Sequence, residues 1–136
     1  MTLRAGVART DITPPVGIAH AGWGAQDHER AAGVDLPLWA TALALEDDEG
    51  AAVVIDVDLV YVWEEDAPRV RERVAELTGL PVSAVRLSYT HTHSGPFTPR
   101  ESWIDAGSEM VDPYLDVLPD RIAGAAWEAL ESTRPV

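Results

Sequence analysis

The stretch Ala-Val-Val-Ile-Asp-Val-Asp-Leu-Val at residues 52–60 is the longest apolar run of the chain and decides the fold. A nearly continuous run of this kind is typical of a strand covered on both faces, as in the centre of a sheet flanked by helices. Residues 38–45 form a second apolar run, and the polar cluster at residues 46–50 predicts a β-hairpin between the two. Residues 3–12 alternate between apolar and polar positions before two prolines, which predicts a first strand.

A helix and another strand follow the hairpin. Residues 63–78 carry Val70, Val74 and Leu77 at helical spacing, and residues 84–90 are again a short apolar run. Strand–helix–strand over about thirty residues is the signature of a right-handed βαβ unit. We therefore predict an α/β fold, with a mixed sheet that contains a βαβ unit and helices packed on it.

The last part of the chain is predicted to be helical. Asp112-Pro113 opens an apolar-periodic stretch that Pro119 and Gly124 interrupt, so a kink or restart is expected near Pro119. In a strand–helix alternation a further strand should follow, yet the chain stops soon after this helix. Residues 1–136 are therefore expected to be a single, incomplete part of a larger α/β domain.

The composition excludes several classes of function. The net charge of −13 opposes binding to nucleic acid and to anionic lipid surfaces. All ten basic residues are arginine, which excludes lysine-based chemistry, and the absence of cysteine excludes thiol catalysis, thiolate zinc sites and disulfides. No apolar run approaches membrane-spanning length, and no signal-peptide core follows the initial methionine, so a cytoplasmic location is predicted.

Two histidines, His91 and His93, follow the second strand of the βαβ unit. In open α/β sheets, ligands bind at the carboxyl ends of the strands. On an extended backbone, residues two apart point the same way, so both imidazoles are predicted to lie on one side. Neutral imidazole is the commonest protein ligand for zinc. Histidines at a strand end also occur as polar residues that meet solvent, and the spacing alone leaves both interpretations open.

The neighbours of this pair suggest supporting roles. Ser94-Gly95-Pro96 forms a sharp exit whose free backbone amides are expected to face an anionic or carbonyl oxygen. Asp58 lies near the carboxyl end of the partner strand, at the same edge as His91. Its carboxylate is a candidate acceptor for a hydrogen bond from a metal-ligating imidazole, and a turn cap near Trp63 is the alternative.

Residues 17–36 contain four glycines and are predicted to form a long irregular loop. Loops of this length in small domains are usually functional or disordered, and Trp23 favours a functional loop that lines a substrate cleft. His20 and His28 are interpreted as solvated or hydrogen-bonded side chains and not as metal ligands.

The segment LSYTHTHSGP at residues 87–96 resembles the hallmark of the neutral/alkaline ceramidases, in which an Ala-Thr-His-Thr-His-Ser-Gly-Pro-type stretch supplies zinc-site residues. The resemblance extends along almost the whole chain. Residues 6–14 are similar to the family's opening strand, and residues 17–24 are similar to its glycine-rich active-site loop. Residues 38–47 and the pair at 58–59 also have counterparts.

This resemblance implies a zinc-dependent amidohydrolase that cleaves the N-acyl amide bond of ceramide-like lipids through a metal-activated water. His91 would be the direct Zn²⁺ ligand, and His93 would be the catalytic group that faces the substrate carbonyl. A metal-bound water has its pKa lowered to ~7, which agrees with that division of roles. The remaining substrate-binding positions implied by the resemblance are Gly22, Trp23, Ser94 and Gly95.

The family completes its zinc site with a histidine, a glutamate and a tyrosine from later in a much longer chain. Residues 1–136 alone are therefore expected not to hold an active metal. Phe97-Thr98-Pro99-Arg100 replaces the family's glycine-rich continuation, so hydrolysis of a different acyl amide is an alternative. Two further hypotheses remain: a non-catalytic binding module that keeps the fold, and a homo-oligomer whose subunits share the metal site.

Overall fold

The computed structural model describes residues 2–24, 26–63 and 65–136. Two short 3₁₀ turns precede the last long strand and the second helix. The strands and α-helices are β1 (Arg4–Asp11), β2 (Trp39–Glu46), β3 (Ala51–Val57), α1 (Ala67–Thr78), β4 (Val85–Tyr89), α2 (Val111–Glu131) and β5 (Arg134–Pro135).

The five strands form one mixed sheet in the order β4-β3-β2-β1-β5. Strands β3 and β4 are parallel and are joined through α1, whereas the other neighbours are antiparallel. The predicted α/β fold with a mixed sheet, a hairpin and a βαβ unit is confirmed. Residues 134–135, which were expected only to end the chain after the last helix, form the short strand β5 and pair with β1.

The helices cover only one face of the sheet. Both pack against each other, and α2 lies across β1, β2 and β3. In β3 the side chains of Val53, Ile55 and Val57 are fully buried, whereas Asp56 is exposed. The expectation that this strand is covered on both faces is therefore wrong. Its apolar run reflects one face under the helices and one open face, where Val7 of β1 is 62% exposed.

Both helices begin and end close to the predicted residues. Helix α1 begins at Ala67, with proline in its first turn, and ends at Thr78, where it is capped by Gly79 with φ 74°. The restart expected at Pro119 is wrong, because α2 continues through it. Leu115, Leu118 and Ile122 are almost fully buried around that proline, so packing outweighs the lost backbone hydrogen bond. Among the described residues, no helix is both long and apolar enough to cross a membrane.

The loop at residues 17–36 is more regular than predicted. Its two arms pair through backbone hydrogen bonds from Gly17 to Ala31, from Ala31 to Ile18 and from His20 to Glu29, at 2.8–2.9 Å. Gly107 also supports this pairing, because its carbonyl accepts a hydrogen bond from the N–H of Ala19 at 3.1 Å. A Cβ on Gly107 would meet the backbone of residues 17–19 at 2.4–2.7 Å, so only glycine allows this approach.

Candidate functional site

The histidine motif lies at the carboxyl edge of the parallel pair, as predicted. Beyond β4, the N–H of Thr90 donates to the carbonyl of Val57, and the N–H of His91 donates to that of Leu59, each at 3.1 Å. These bonds hold His91 beside the end of β3. The side chains of His91 and His93 are both exposed. The motif is therefore accessible from solvent and is not sealed beneath a helix.

The ring of His91 has a defined tautomer. Its Nδ1 lies 3.0 Å from the carbonyl oxygen of Val60. A carbonyl only accepts hydrogen bonds, so Nδ1 carries the proton in the neutral ring and Nε2 keeps its lone pair. Hydrogen bonding of one ring nitrogen to a backbone carbonyl, with the other nitrogen free, is the arrangement found in histidines that bind metal through Nε2.

The two imidazoles are neighbours, but the backbone that brings them together is not the extended one that the prediction assumed. His91 adopts φ 59°, in the left-handed region that non-glycine residues rarely occupy, so the backbone is bent and not extended here. The ring centroids of His91 and His93 are 5.4 Å apart, and the ring planes are tilted by 58°. The rings are neighbours because of the bend. Strain at a non-glycine residue of this kind is common where the surrounding structure supports a function.

Trp23 fixes the ring of His93. The two rings stack with centroids 4.5 Å apart at 19°, and Phe97 meets the indole edge-on at 5.8 Å. The indole Nε1 is buried and has no hydrogen-bond partner among the described residues. The N–H of Gly22 donates a hydrogen bond to the side-chain carbonyl of Gln26, which holds Gly22 in place. Gly22 adopts φ 89°, and a Cβ there would lie 2.6 Å from the Phe97 ring. Glycine is therefore required for this stack.

Asp58 lies at the predicted edge but has a different partner from the one expected. Its Oδ2 accepts a hydrogen bond from the backbone N–H of Trp39 at 2.9 Å, and its own N–H donates to the Trp39 carbonyl at 2.8 Å. The carbonyl of Val60, and not this carboxylate, accepts the proton of His91. Asp58 therefore joins the ends of β2 and β3.

The exit after the histidines is also more constrained than predicted. The N–H of Ser94 donates to Oγ1 of Thr92 at 3.1 Å, so this amide is not free for an incoming oxygen. Gly95 is buried, and a Cβ there would lie 3.4 Å from the side chain of Leu38. Of the backbone amides that were expected to be free, the amide of Ser94 is therefore already hydrogen-bonded.

A cavity of about 560 Å³ lies beside this exit. Its walls are formed by residues within the range 13–38, by Asp58 and by residues 92 and 94–96 of the histidine motif, and most of these residues are apolar. Neither His91 nor His93 lines it. The polar side chains on its walls belong to seven residues: Thr13, His20, His28, Asp35, Asp58, Thr92 and Ser94.

An ion pair that sequence reasoning missed holds the segment that follows the histidine motif. Arg100 donates from Nε and NH2 to both carboxylate oxygens of Asp66, at 2.8–3.2 Å, and also to Asp116 at 2.9 Å. The side chain of Asp66 is only 4% exposed. The bond from Arg100 holds the pKa of Asp116 below its usual value. No local pattern marks this pairing, because it joins Asp66 at the start of α1 to a residue 34 positions later, in the irregular segment between β4 and α2.

The donor set suits one zinc ligand from this chain. A structural or catalytic zinc takes imidazole nitrogen readily, and Nε2 of His91 has the free lone pair that such a bond needs. Residues 2–24, 26–63 and 65–136 contain no group of three or more His, Asp or Glu side chains that could hold a metal ion. A complete site would therefore need ligands from beyond the described residues.

Solved structures of ceramidases share this fold. The neutral ceramidase from Pseudomonas aeruginosa superposes with a TM-score of 0.82 and 21% sequence identity, over 99% of this chain and 22% of that one. A ceramidase complexed with C2 superposes with a TM-score of 0.82 and 22% identity, over the same shares of the two chains. This chain therefore spans 22% of the length of each. No family model and no curated protein matches it. The predicted ceramidase-like fold is confirmed.

Proposed function

We propose that this chain is the opening portion of a zinc-dependent amidohydrolase that cleaves the N-acyl amide bond of ceramide-like lipids. The observation that carries the proposal is the hydrogen bond from Nδ1 of His91 to the carbonyl of Val60, which in the neutral ring leaves the lone pair on Nε2, at the ligand-binding edge of the sheet. The ceramidase fold over 99% of the chain supports the same assignment.

His91 is the zinc ligand of this portion, and a bound zinc would supply a water of lowered pKa and a polarised carbonyl. The strained backbone and the Val60 bond hold its ring in one orientation before any ligand arrives, which reduces the reorganisation that binding requires. The other ligands belong to the rest of the longer protein.

His93 acts on the substrate carbonyl. Its ring centroid lies 5.4 Å from that of His91, which places a second imidazole beside the ligand. Stacking on Trp23 restricts the ring, so that it donates a hydrogen bond to the developing oxyanion from a fixed position. Gly22 is needed for that stack, and Ser94 and Gly95 form the wall that the substrate passes.

The test is hydrolysis of a short-chain fluorescent ceramide by the natural full-length protein, with bound zinc measured in parallel. His91→Asn is the informative variant, since asparagine tolerates a positive φ better than other residues. We expect it to lose both zinc and activity. His93→Gln should keep zinc and lose roughly 10²–10³-fold in kcat, the usual effect of removing one oxyanion donor.

Each other outcome has a defined meaning. Retention of zinc by His91→Asn would contradict the ligand assignment. Ceramide that binds without being cleaved would favour the non-catalytic module, and cleavage of only other N-acyl amides would change the substrate class. Zinc found only in the oligomeric fraction would favour a site shared between subunits. His28→Gln, in a separate loop, is the matched control and should leave zinc content unchanged.

A further inference from the structure

Three side chains of the loop at residues 17–36 form a hydrogen-bonded chain. Oδ1 of Asp27 lies 2.8 Å from Nδ1 of His28, and Nε2 of His28 lies 3.0 Å from Nδ1 of His20. The two ring centroids are 5.0 Å apart, and their planes differ by only 7°. With nitrogen atoms 3.0 Å apart, these values describe rings that meet edge to edge, with each nitrogen directed at the other. Such geometry suits a shared proton, whereas a chelated metal needs lone pairs that converge on a third point.

The carboxylate sets the direction of this chain. The bond from His28 holds the pKa of Asp27 below its usual value, so Asp27 is ionised at neutral pH and can only accept. In the neutral ring of His28, Nδ1 therefore carries the proton and Nε2 accepts. The proton between the rings must then belong to Nδ1 of His20. It follows that Nε2 of His20 is left as an acceptor with a free lone pair.

That nitrogen has no hydrogen bond to another described residue, and His20 is one of the residues that line the 560 Å³ cavity. Burial lowers the pKa of His20, and repulsion from His28 lowers it further whenever that ring is protonated, so the His20 ring is neutral at physiological pH. The remaining wall is mainly apolar, with Val16, Ile18 and Leu38 among its members. Ligand sites in proteins typically have this volume and this mixture of an apolar wall with few directed polar groups.

We propose that the cavity binds a small amphiphile, with its apolar chain on the loop wall and a hydroxyl or amide N–H donating to Nε2 of His20. The relay through His28 to Asp27 fixes His20 in the accepting tautomer. Neither His91 nor His93 lines this cavity, although Thr92 and Ser94 do, and binding there requires no metal ion.

The tautomer is tested by long-range ¹⁵N–¹H correlation spectra of the labelled chain near neutral pH. We expect His20 protonated on Nδ1, the less common form in solution. Asp27→Asn introduces an amide that can donate to His28, which permits the reverse proton order, so His20 should shift toward the Nε2-protonated form. A wild-type His20 already protonated on Nε2 would overturn the proposal.

Binding is tested with hexan-1-ol against methyl pentyl ether, a matched probe that lacks the donor. The alcohol should bind about fivefold tighter, the ratio that corresponds to one net hydrogen bond, and should shift the Nε2 resonance of His20. His20→Phe keeps an aromatic ring in the wall and should abolish the preference without weakening the ether. Equal affinity of the wild type for the two probes, or a preference that survives in His20→Phe, would overturn the proposal.

Discussion

The imidazole of His91 donates from Nδ1 to the carbonyl oxygen of Val60 at 3.0 Å, across the ends of two parallel strands. This bond connects the fold to the candidate chemistry, because the same strand pairing that places the residues side by side also selects the ring tautomer. The acceptor is a backbone group, so it is supplied by the path of the chain after β3 and needs no particular side chain at position 60.

The left-handed backbone of His91 predicts a gain in stability when glycine replaces it. A non-glycine residue in this region costs roughly 1–2 kcal/mol, and both glycine and alanine remove the ring contacts. We expect His91→Gly to be more stable than His91→Ala by about 1 kcal/mol. Urea unfolding of the two variants measures the difference, and equal midpoints would show that the backbone is not strained.

Removal of the Arg100 guanidinium should destabilise the fold. Asp66 is almost fully buried and would lose its two-point partner, so Arg100→Met is expected to cost about 2 kcal/mol. Arg69→Met is the matched control: Arg69 contacts the same carboxylate at 2.7 Å but is 46% exposed, and its loss should cost less than about 1 kcal/mol. Equal unfolding free energies for the two variants would contradict the assigned anchor.

Periodicity carried most of the fold prediction. Helical spacing at Val70 and Val74 arises from burial against a core, and both side chains are buried as expected. The alternation of burial in β3 is seen only in the structure. The one-sided sheet was not predictable in the same way. An apolar run shows that a strand avoids water on one face, but it does not say whether the second face is covered by this chain.

The candidate site was predicted in its location but not in its details. The βαβ order placed His91 at the correct edge, because strand polarity follows from the crossover alone. Its positive φ carries no sequence signal, since no glycine or asparagine marks the bend. The Val60 carbonyl and the Asp66–Arg100 pair depend on contacts across 31 and 34 residues, which local patterns do not encode.

Gly22 should not tolerate a side chain. Alanine there would combine a φ of 89° with a Cβ that lies 2.6 Å from the Phe97 ring, so Gly22→Ala is expected to cost about 1–3 kcal/mol and to disturb the Trp23 stack on His93. Unfolding free energy and tryptophan emission report the two effects. Gly24→Ala is the control, because a Cβ there meets no atom of the described residues within 4 Å, and its effect should stay within about 0.5 kcal/mol.

The lowered pKa of His20 predicts a loss of stability on mild acidification. Burial and then His28 hold this pKa below its ordinary value of 6.5, so the unfolded chain binds a proton more readily than the folded one. The contribution is fully present above pH 6.5 and is lost as the pH falls through the folded-state pKa. Urea unfolding at about pH 7.5 and about pH 5.5, on either side of the unperturbed histidine pKa, should show a larger loss for wild type than for His20→Gln. An identical loss in both proteins would mean that His20 titrates in the folded state as it does in the unfolded chain.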